Sequence, residues 1–369
     1  MPPSNTINLP FSTGKRCVTV SSSLVLAVLV ALTVQVFYFS PIDPIVLHIK
    51  PATLTKNNKL QNIIKIGEGF LKDPEDVCVD KEGILYTATR DGWIKRLRKN
   101  ENWENWKHID SDALLGITTA KDGGLIVCDA AKGLLKVTEE DGFSVLLSQV
   151  NGSQLRFADD VIEASDGNIY FTVASNKFDL HEWFLDMLEA RPHGQLLKYN
   201  PTSNETVIVL DNVTFPNGVA LSKDEDYLVV CETWKYRCLR HWLKGANKGM
   251  TDILIENLPG GPDNINLAPD GSFWIALIHL TSERLEFLHY SKISKHLVAS
   301  FPTLINLVNG ARKKAMVVNV ATNGNIIKEF DDNDGKVINF VTSALEFEDN
   351  LYLGSLNSMF IGKLPLFST

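Results

Sequence analysis

The chain has 369 residues, of which 44% are hydrophobic and 22% charged, and a net charge of −8. That balance belongs to a folded chain and not to a disordered one. The acidic surplus excludes nucleic acid as a partner, because holding phosphates takes a basic face.

Residues 17–39, CVTVSSSLVLAVLVALTVQVFYF, carry no charge. A helix of that length can cross a bilayer. Lys15 and Arg16 precede it, and the nearest later charges are Asp43 and Lys50. The positive-inside rule then keeps residues 1–16 in the cytosol and sends the rest across. A secretory h-region is shorter, and no small-x-small cleavage site follows this one. The expectation is an uncleaved signal anchor over 17–39, a linker over 40–60 and a lumenal domain over 61–366. Such a type II protein belongs to the endoplasmic reticulum or secretory-pathway membrane, or to the vacuole. A cleaved signal peptide and a buried core helix are the alternatives.

Three N-x-S/T sequons, at Asn151, Asn204 and Asn212, agree with lumenal exposure. Of the five cysteines, Cys17 lies in the anchor, and Cys78 and Cys128 read as buried thiols. Cys231 and Cys238 stand where two strand patterns meet, in LVVCETWKYRCLRHW. An antiparallel hairpin would oppose them, and an oxidising lumen permits a disulfide there.

The body of the chain repeats one β-unit. The units are PEDVCVDKEGILYTATRDGWIKRL (74–97), GITTAKDGGLIVCDAAKGLLKV (116–137), ADDVIEASDGNIYFTVAS (158–175), PNGVALSKDEDYLVVCETWKYRCLRHW (216–242), PDNINLAPDGSFWIAL (262–277) and TSALEFEDNLYLGSLNSMFIGKL (342–364). Alternation broken by Asp-Gly and similar turns signals hairpins. Recurrence at about 40 to 60 residues signals propeller blades. The fold class is therefore all-β, a six-bladed β-propeller, with a β-sandwich as the alternative. NKFDLHEWFLDMLEARPHG (176–194) breaks the pattern with helical spacing. It reads as a small helical insert, either a surface helix on a blade edge or a lid over an axial pocket.

Aligned on the first turn of each unit, at Gly83, Gly167, Glu225 and Gly271, the residue eight earlier is Glu75, Asp159, Asn217 or Asp263. Each precedes the innermost strand of its blade, so four blades would aim an oxygen at one axis. Converging carboxylates are costly unless a cation or protons offset them. Mixed carboxylate and amide oxygens suit Ca²⁺. Turn formation or strand initiation is the alternative for each residue taken singly.

PEDVCVD, FPNGVALSKDEDYLVVCETWKYRCLRHWLKG and ENLPGGPDNINLAPDGSFWIAL resemble plant strictosidine synthase-like proteins and the animal adipocyte plasma membrane-associated protein. The likeness covers about residues 60 to 364. It implies a six-bladed propeller of the group that includes paraoxonases, gluconolactonases and diisopropylfluorophosphatase, with an axial Ca²⁺. The ligands it implies are Glu75, Asp159, Asn217, Asp263 and Asn264. The likeness also implies, for a true strictosidine synthase, a glutamate base near the start of the last blade. Thr342 and Ser343 stand there, and neither is a base at neutral pH without an activating neighbour. Glu346 is the nearest acid in sequence.

Three functions compete. The first is metal-assisted hydrolysis of a lactone or ester, with Asp160 and Asp263 as candidate catalytic groups and His193, His279 or His289 as a base. The second is an amine–aldehyde condensation of the strictosidine synthase type, in alkaloid biosynthesis. The third is non-catalytic lumenal binding, since fold does not imply function. A small molecule is the expected partner in each, beside the membrane through 17–39. The sequence holds no nucleophile elbow, HExxH or phosphate-cradling glycine loop.

Overall fold

The structure, a computed structural model, describes residues 14–53, 55–278, 288–304 and 314–368. Among these, six four-stranded antiparallel sheets are arranged as blades. The inner strands are Val77–Val79, Leu114–Thr119, Ala158–Glu163, Pro216–Leu221, Gly261–Leu267 and Val341–Phe347. Each packs beside the next, and the sixth packs beside the first, so the ring is closed. Strand Ile64–Ile66 pairs with Ile361–Pro365 as the outermost strand of the sixth blade. This joins the two ends of the propeller and hides what would otherwise be a sheet edge.

The repeat seen in sequence has a backbone cause. The first hairpin of five blades closes with the same bond, from the N–H of Gly83, Gly123, Gly167, Glu225 or Gly271 to the carbonyl three residues earlier. All five closing residues have positive φ, between 52° and 97°. Glycine meets that need at no steric cost. Glu225 meets it in the left-handed region and turns its carboxylate to the backbone N–H of Ser165. The strands between the turns are Val-, Ile- and Leu-rich and almost wholly buried, because each blade is packed on both faces by its neighbours.

Three helices lying wholly within the described residues stand outside the blades. Helix α1, Gly14–Tyr38, has 25 residues and exposes Leu24, Leu26, Leu29 and Phe37. Over the described residues, no helix is long and apolar enough to cross a membrane. Helix α2 is Trp183–Glu189, preceded by a short 3-10 turn at Leu180–Glu182. It ends where Ala190 turns left-handed, before Pro192 is reached. Helix α3, Lys292–Ser300, is capped by the Ser291 hydroxyl and has no counterpart in the sequence reading.

The segment read as the linker, 40–60, is packed over its first part. Ile42 and Leu47 are buried among Phe178, Leu185, Met187 and Val298. The Ile45 N–H donates to the Glu189 carbonyl at 2.9 Å, and the buried Lys295 ammonium donates to the Ile45 carbonyl at 2.6 Å. Residues 40–49 therefore bind α2 and α3 together on one face of the propeller.

Gly354 tests how tightly the ring is closed. A Cβ there would stand 2.3 Å from the Glu75 carbonyl oxygen, across the junction of blades six and one. Gly354→Ala should cost about 1–3 kcal/mol, the usual penalty for overpacking. Urea unfolding would measure it, and an unchanged midpoint would show that the junction yields freely.

Candidate active site at the propeller axis

The residues at the head of each inner strand owe their direction to a bulge. Pairing with the second strand slips between Leu114 and Ile117, Ala158 and Val161, Pro216 and Val219, Pro262 and Ile265, and Val341 and Ser343. The residues skipped are Leu115-Gly116, Asp159-Asp160, Asn217-Gly218, Asp263-Asn264 and Thr342. Glu75-Asp76 precede the inner strand of blade one. A bulge leaves a residue out of the ladder and re-aims its side chain. Because successive side chains point opposite ways, each pair serves two ends of the channel.

The first members, Glu75, Leu115, Asp159, Asn217 and Asp263, line one cavity of about 240 Å³. The second members Asp76, Asp160 and Asn264 line a separate space at the other end. Their task is to join blades. Asp76 accepts the backbone N–H of Val77 and, in the next blade, of Ile117. Asp160 accepts those of Val161 and, in its own next blade, of Val219. Both oxygens of Asp160 are thus engaged, and it does not face the cavity. Asn264 is also buried and donates its amide to Glu75 Oε1 at 2.7 Å.

Four axial oxygens lack partners. Glu75 Oε2, Asp159 Oδ2, Asn217 Oδ1 and Asn264 Oδ1 are buried and accept no hydrogen bond. Burial raises the Glu75 carboxyl well above its usual range, and Asp76, Asp263 and Asp159 add repulsion. Burial lifts Asp159 to about 7 against the pull of Arg90. Burial, then Asp159, raises Asp263, which a hydrogen bond from Asn217 partly offsets. Among the described residues, no group of three or more His, Cys, Asp or Glu forms a metal cluster. The donor set here is of another kind: unpartnered carboxylate and amide oxygens together, the hard oxygens that Ca²⁺ takes. On that count the residues fit such an ion, with Glu75, Asp159, Asn217 and Asp263 on the cavity and Asn264 behind Glu75.

The cavity walls divide in character. On one side Trp183 stacks on Trp234 at 6.2 Å, Trp234 meets Phe215 at 4.4 Å, and Phe215 meets Phe157 edge-on at 5.3 Å. Leu180 and Ile278 extend this apolar wall, while Asp73, Arg90 and Asn357 stand elsewhere on the lining. The helical insert supplies Leu180 and Trp183, so it roofs the pocket. Asp186 of α2 fixes the roof to the wall by accepting Trp234 Nε1 at 2.9 Å.

Sequence reading missed most of this lining. One signal for it exists. Asp73, Phe157, Phe215 and Phe340 each stand two residues before the axial position of their blade. All four line the cavity, and all have φ between 46° and 50°. A left-handed phenylalanine is unusual, and such strain gathers at functional sites. The recurring F-x-D, F-x-N and F-x-T spacing could have revealed them.

Other candidate residues fall away from the cavity. Thr342 Oγ1 donates to the Glu75 carbonyl at 2.6 Å, and Ser343 Oγ donates to Asp76 Oδ1 at 2.5 Å. Glu346 accepts Trp274 Nε1 at 2.5 Å and does not line the pocket. His193 bonds Glu189 at 3.0 Å. His289 is buried with its Nδ1 unpartnered, and burial, then Lys295, lowers it to about 4. Neither histidine reaches the cavity, and His279 lies outside the described residues. Cys231 and Cys238 face each other in register and are joined as a disulfide. Asn151, Asn204 and Asn212 are exposed with left-handed backbones. Thr214, the hydroxyl residue of the third sequon, is fully buried.

Fold and site together define a six-bladed propeller with an axial oxygen cluster under an aromatic roof. Comparison with known proteins places it further. The strictosidine synthase family model matches residues 159–246, and the N-terminal model of strictosidine synthase-like proteins matches 53–97. Protein STRICTOSIDINE SYNTHASE-LIKE 4 of Arabidopsis thaliana is 33% identical over 310 residues, covering 82% of this chain and 81% of that protein. The adipocyte plasma membrane-associated protein of Mus musculus is 32% identical over 352 residues, 89% and 85% of the two chains. The chain belongs to the strictosidine synthase-like family. Among solved structures, a gluconolactonase from Xanthomonas campestris superposes with a TM-score of 0.59 at 13% identity, covering 88% of this chain and 96% of that one. At that identity the likeness is one of fold.

The crowded acids give the site a pH signature. A carboxyl raised on folding binds its proton more tightly in the native state than in the unfolded one. Its stabilising contribution is complete below the unfolded value and is lost as pH rises, for Asp159 from about 4 to about 7. Chelator-treated protein should therefore melt a few degrees lower at about pH 8 than at about pH 5.5. Asp159→Asn should shrink the difference. Equal melting at both pH values in the chelated wild type would show that the acids do not repel one another as described.

Proposed function

We propose that this chain is a divalent-cation-dependent hydrolase of a lactone or ester. The observation that carries this reading is the set of buried oxygens of Glu75, Asp159 and Asn217, without partners among the described residues, on an aromatic-walled cavity, with that of Asn264 behind them. Glu75, Asp159, Asn217 and Asp263, with Asn264 orienting Glu75, would hold the ion, most fittingly Ca²⁺. Once bound, such an ion supplies a Lewis acid for a substrate carbonyl.

The rest is work for the chain's own groups. Trp183, Trp234, Phe215 and Phe157 hold the apolar part of the substrate and exclude water from it. Asp263, on the cavity, takes the proton from the attacking water and returns it to the leaving oxygen as the acyl–oxygen bond breaks. Asp160 has no such role here, because backbone N–H groups occupy both of its oxygens. Among the described residues, no base stands where the condensation reaction needs one. The last blade offers two hydrogen-bonded hydroxyls where a base should stand, and Glu346 is tied to Trp274. We therefore favour hydrolysis over strictosidine formation. Residues 17–39, within and just past α1, serve in this reading as the signal anchor of a type II glycoprotein. The propeller then lies in the lumen of the secretory pathway.

Asp263→Asn should lower turnover of aryl esters or lactones by about 10²–10⁴-fold, the usual contribution of a general base. Chelation should abolish turnover, and calcium should restore it. Turnover unaffected by either change would end the hydrolase proposal. Robust condensation of tryptamine with secologanin by the unmodified chain would favour the synthase reading instead.

The topology has its own test. Glycosidase treatment should increase the gel mobility of protein expressed in a eukaryotic secretory pathway. Substituting Asn151, Asn204 and Asn212 together should remove that shift. Lack of any shift in the wild type would contradict lumenal placement.

A further inference from the structure

Among the described residues, Arg90 is the only cationic residue on the cavity lining. Its backbone is fixed from both sides. Its N–H donates to the Lys72 carbonyl at 3.0 Å, and neighbouring Thr89 donates to Trp93 at 2.9 Å. The guanidinium crosses toward blade two, where Nη1 donates to the Asp112 carbonyl at 3.1 Å. Among the described residues, no carboxylate comes within the 4.0 Å of an ion pair with it. The side chain is half-exposed and lines the cavity, so its remaining donors are open to a ligand or to water. Asp73, Glu75, Asp159 and Asp112 attract it from a distance, and none of them caps it.

The geometry points to Arg90 as the anion-reading residue of the pocket: the substrate carries a carboxylate, or an equivalent anionic group, in addition to its scissile bond. The inference rests on the hydrolase reading and names its substrate class. Arg90 sits on the lining with Asp73 and Asn357, and the aromatic wall takes the apolar part, so the substrate is amphiphilic. A guanidinium presents its donors in a planar fork that matches a carboxylate, whereas an ammonium offers a point charge. The axial acids oppose an anion only while they are uncompensated. A cation held by Glu75, Asp159 and Asp263 removes that opposition and leaves Arg90 as the local charge. Cation and anion should therefore strengthen each other's binding, and by the same factor in both directions.

The test uses the full chain in detergent, with two ligands of matched shape, phenylacetate and the neutral phenylacetamide. Calorimetry in calcium buffer should show tighter binding of phenylacetate. Arg90→Gln should weaken phenylacetate on the order of tenfold, as expected for a lost charge-assisted hydrogen bond, and leave phenylacetamide unchanged. Arg90→Lys should recover part of the loss, which a mere folding defect would not do. A calcium titration with and without phenylacetate should show the mutual strengthening in wild type and none in Arg90→Gln. The inference falls if neither ligand binds, if both ligands weaken equally, or if Arg90→Gln keeps the preference, because the anion would then be held by the ion itself. An Arg90-dependent preference in a chain that takes up no calcium would keep the inference and remove the hydrolase reading.

Discussion

Closing six blades into a ring brings six strand starts to one axis, and the crowding there governs the rest of the molecule. The chain meets it by placing two residues at each start and turning them to opposite ends of the channel. One set, with Asp76 and Asp160, spends its oxygens on backbone N–H groups of the same and the neighbouring blade. Those bonds hold the ring while keeping buried charge satisfied. The other set includes Glu75, Asp159 and Asn217, each left with an oxygen that nothing among the described residues satisfies. Buried acceptors without donors are expensive, so a fold that keeps several of them together is prepared for something from outside.

Glycine sets how closely the starts approach. Gly116 lies where a Cβ would meet Asp160 Oδ1 at 2.7 Å, and Gly218 where it would meet the Asp263 carbonyl at 2.6 Å. The small residue of one blade thus accommodates the acid or amide pair of the next. Blade two contributes Leu115 in place of an oxygen, and blade six contributes a hydroxyl bonded to the Glu75 backbone. The oxygen cluster is therefore formed by an arc of blades three, four and five and by blade one across the axis from it. The aromatic wall rises from blades three and four on the same arc.

At the last blade, Thr342 and Ser343 stand where the likeness to a true strictosidine synthase implies a base, and both are engaged in holding blade one. A larger acid there would displace bonds that close the ring. The roof differs in kind from the ring. It is made of α2, α3 and residues 40–49, which meet through single hydrogen bonds and modest apolar contacts. Its construction ties the pocket to the segment that follows α1.

Much of the fold was legible in sequence, because hairpin turns and alternating strands are local. Gly83, Gly167 and Gly271 announce turns that need positive φ, and the spacing from turn to strand start is fixed by the length of one strand. That arithmetic was enough to place Glu75, Asp159, Asn217 and Asp263 on one cavity. It also set Cys231 opposite Cys238. What it could not supply was direction within the bulge. Asp159 and Asp160 are neighbours of the same chemistry, yet one faces the pocket and the other clasps Val219, a difference decided by how the ladder slips between blades. Arg90, Trp234 and Phe215 reach the cavity from loops whose course depends on neighbouring blades, and α3 forms on a surface that residues 40–49 help to build. The sequence by itself determined the repeat, its turns and the set of axial oxygens, since each rests on contacts a few residues apart. Only the tertiary structure decided which oxygens remain unpartnered, what walls surround them and where the Arg90 guanidinium stands, since those depend on residues brought together from distant blades.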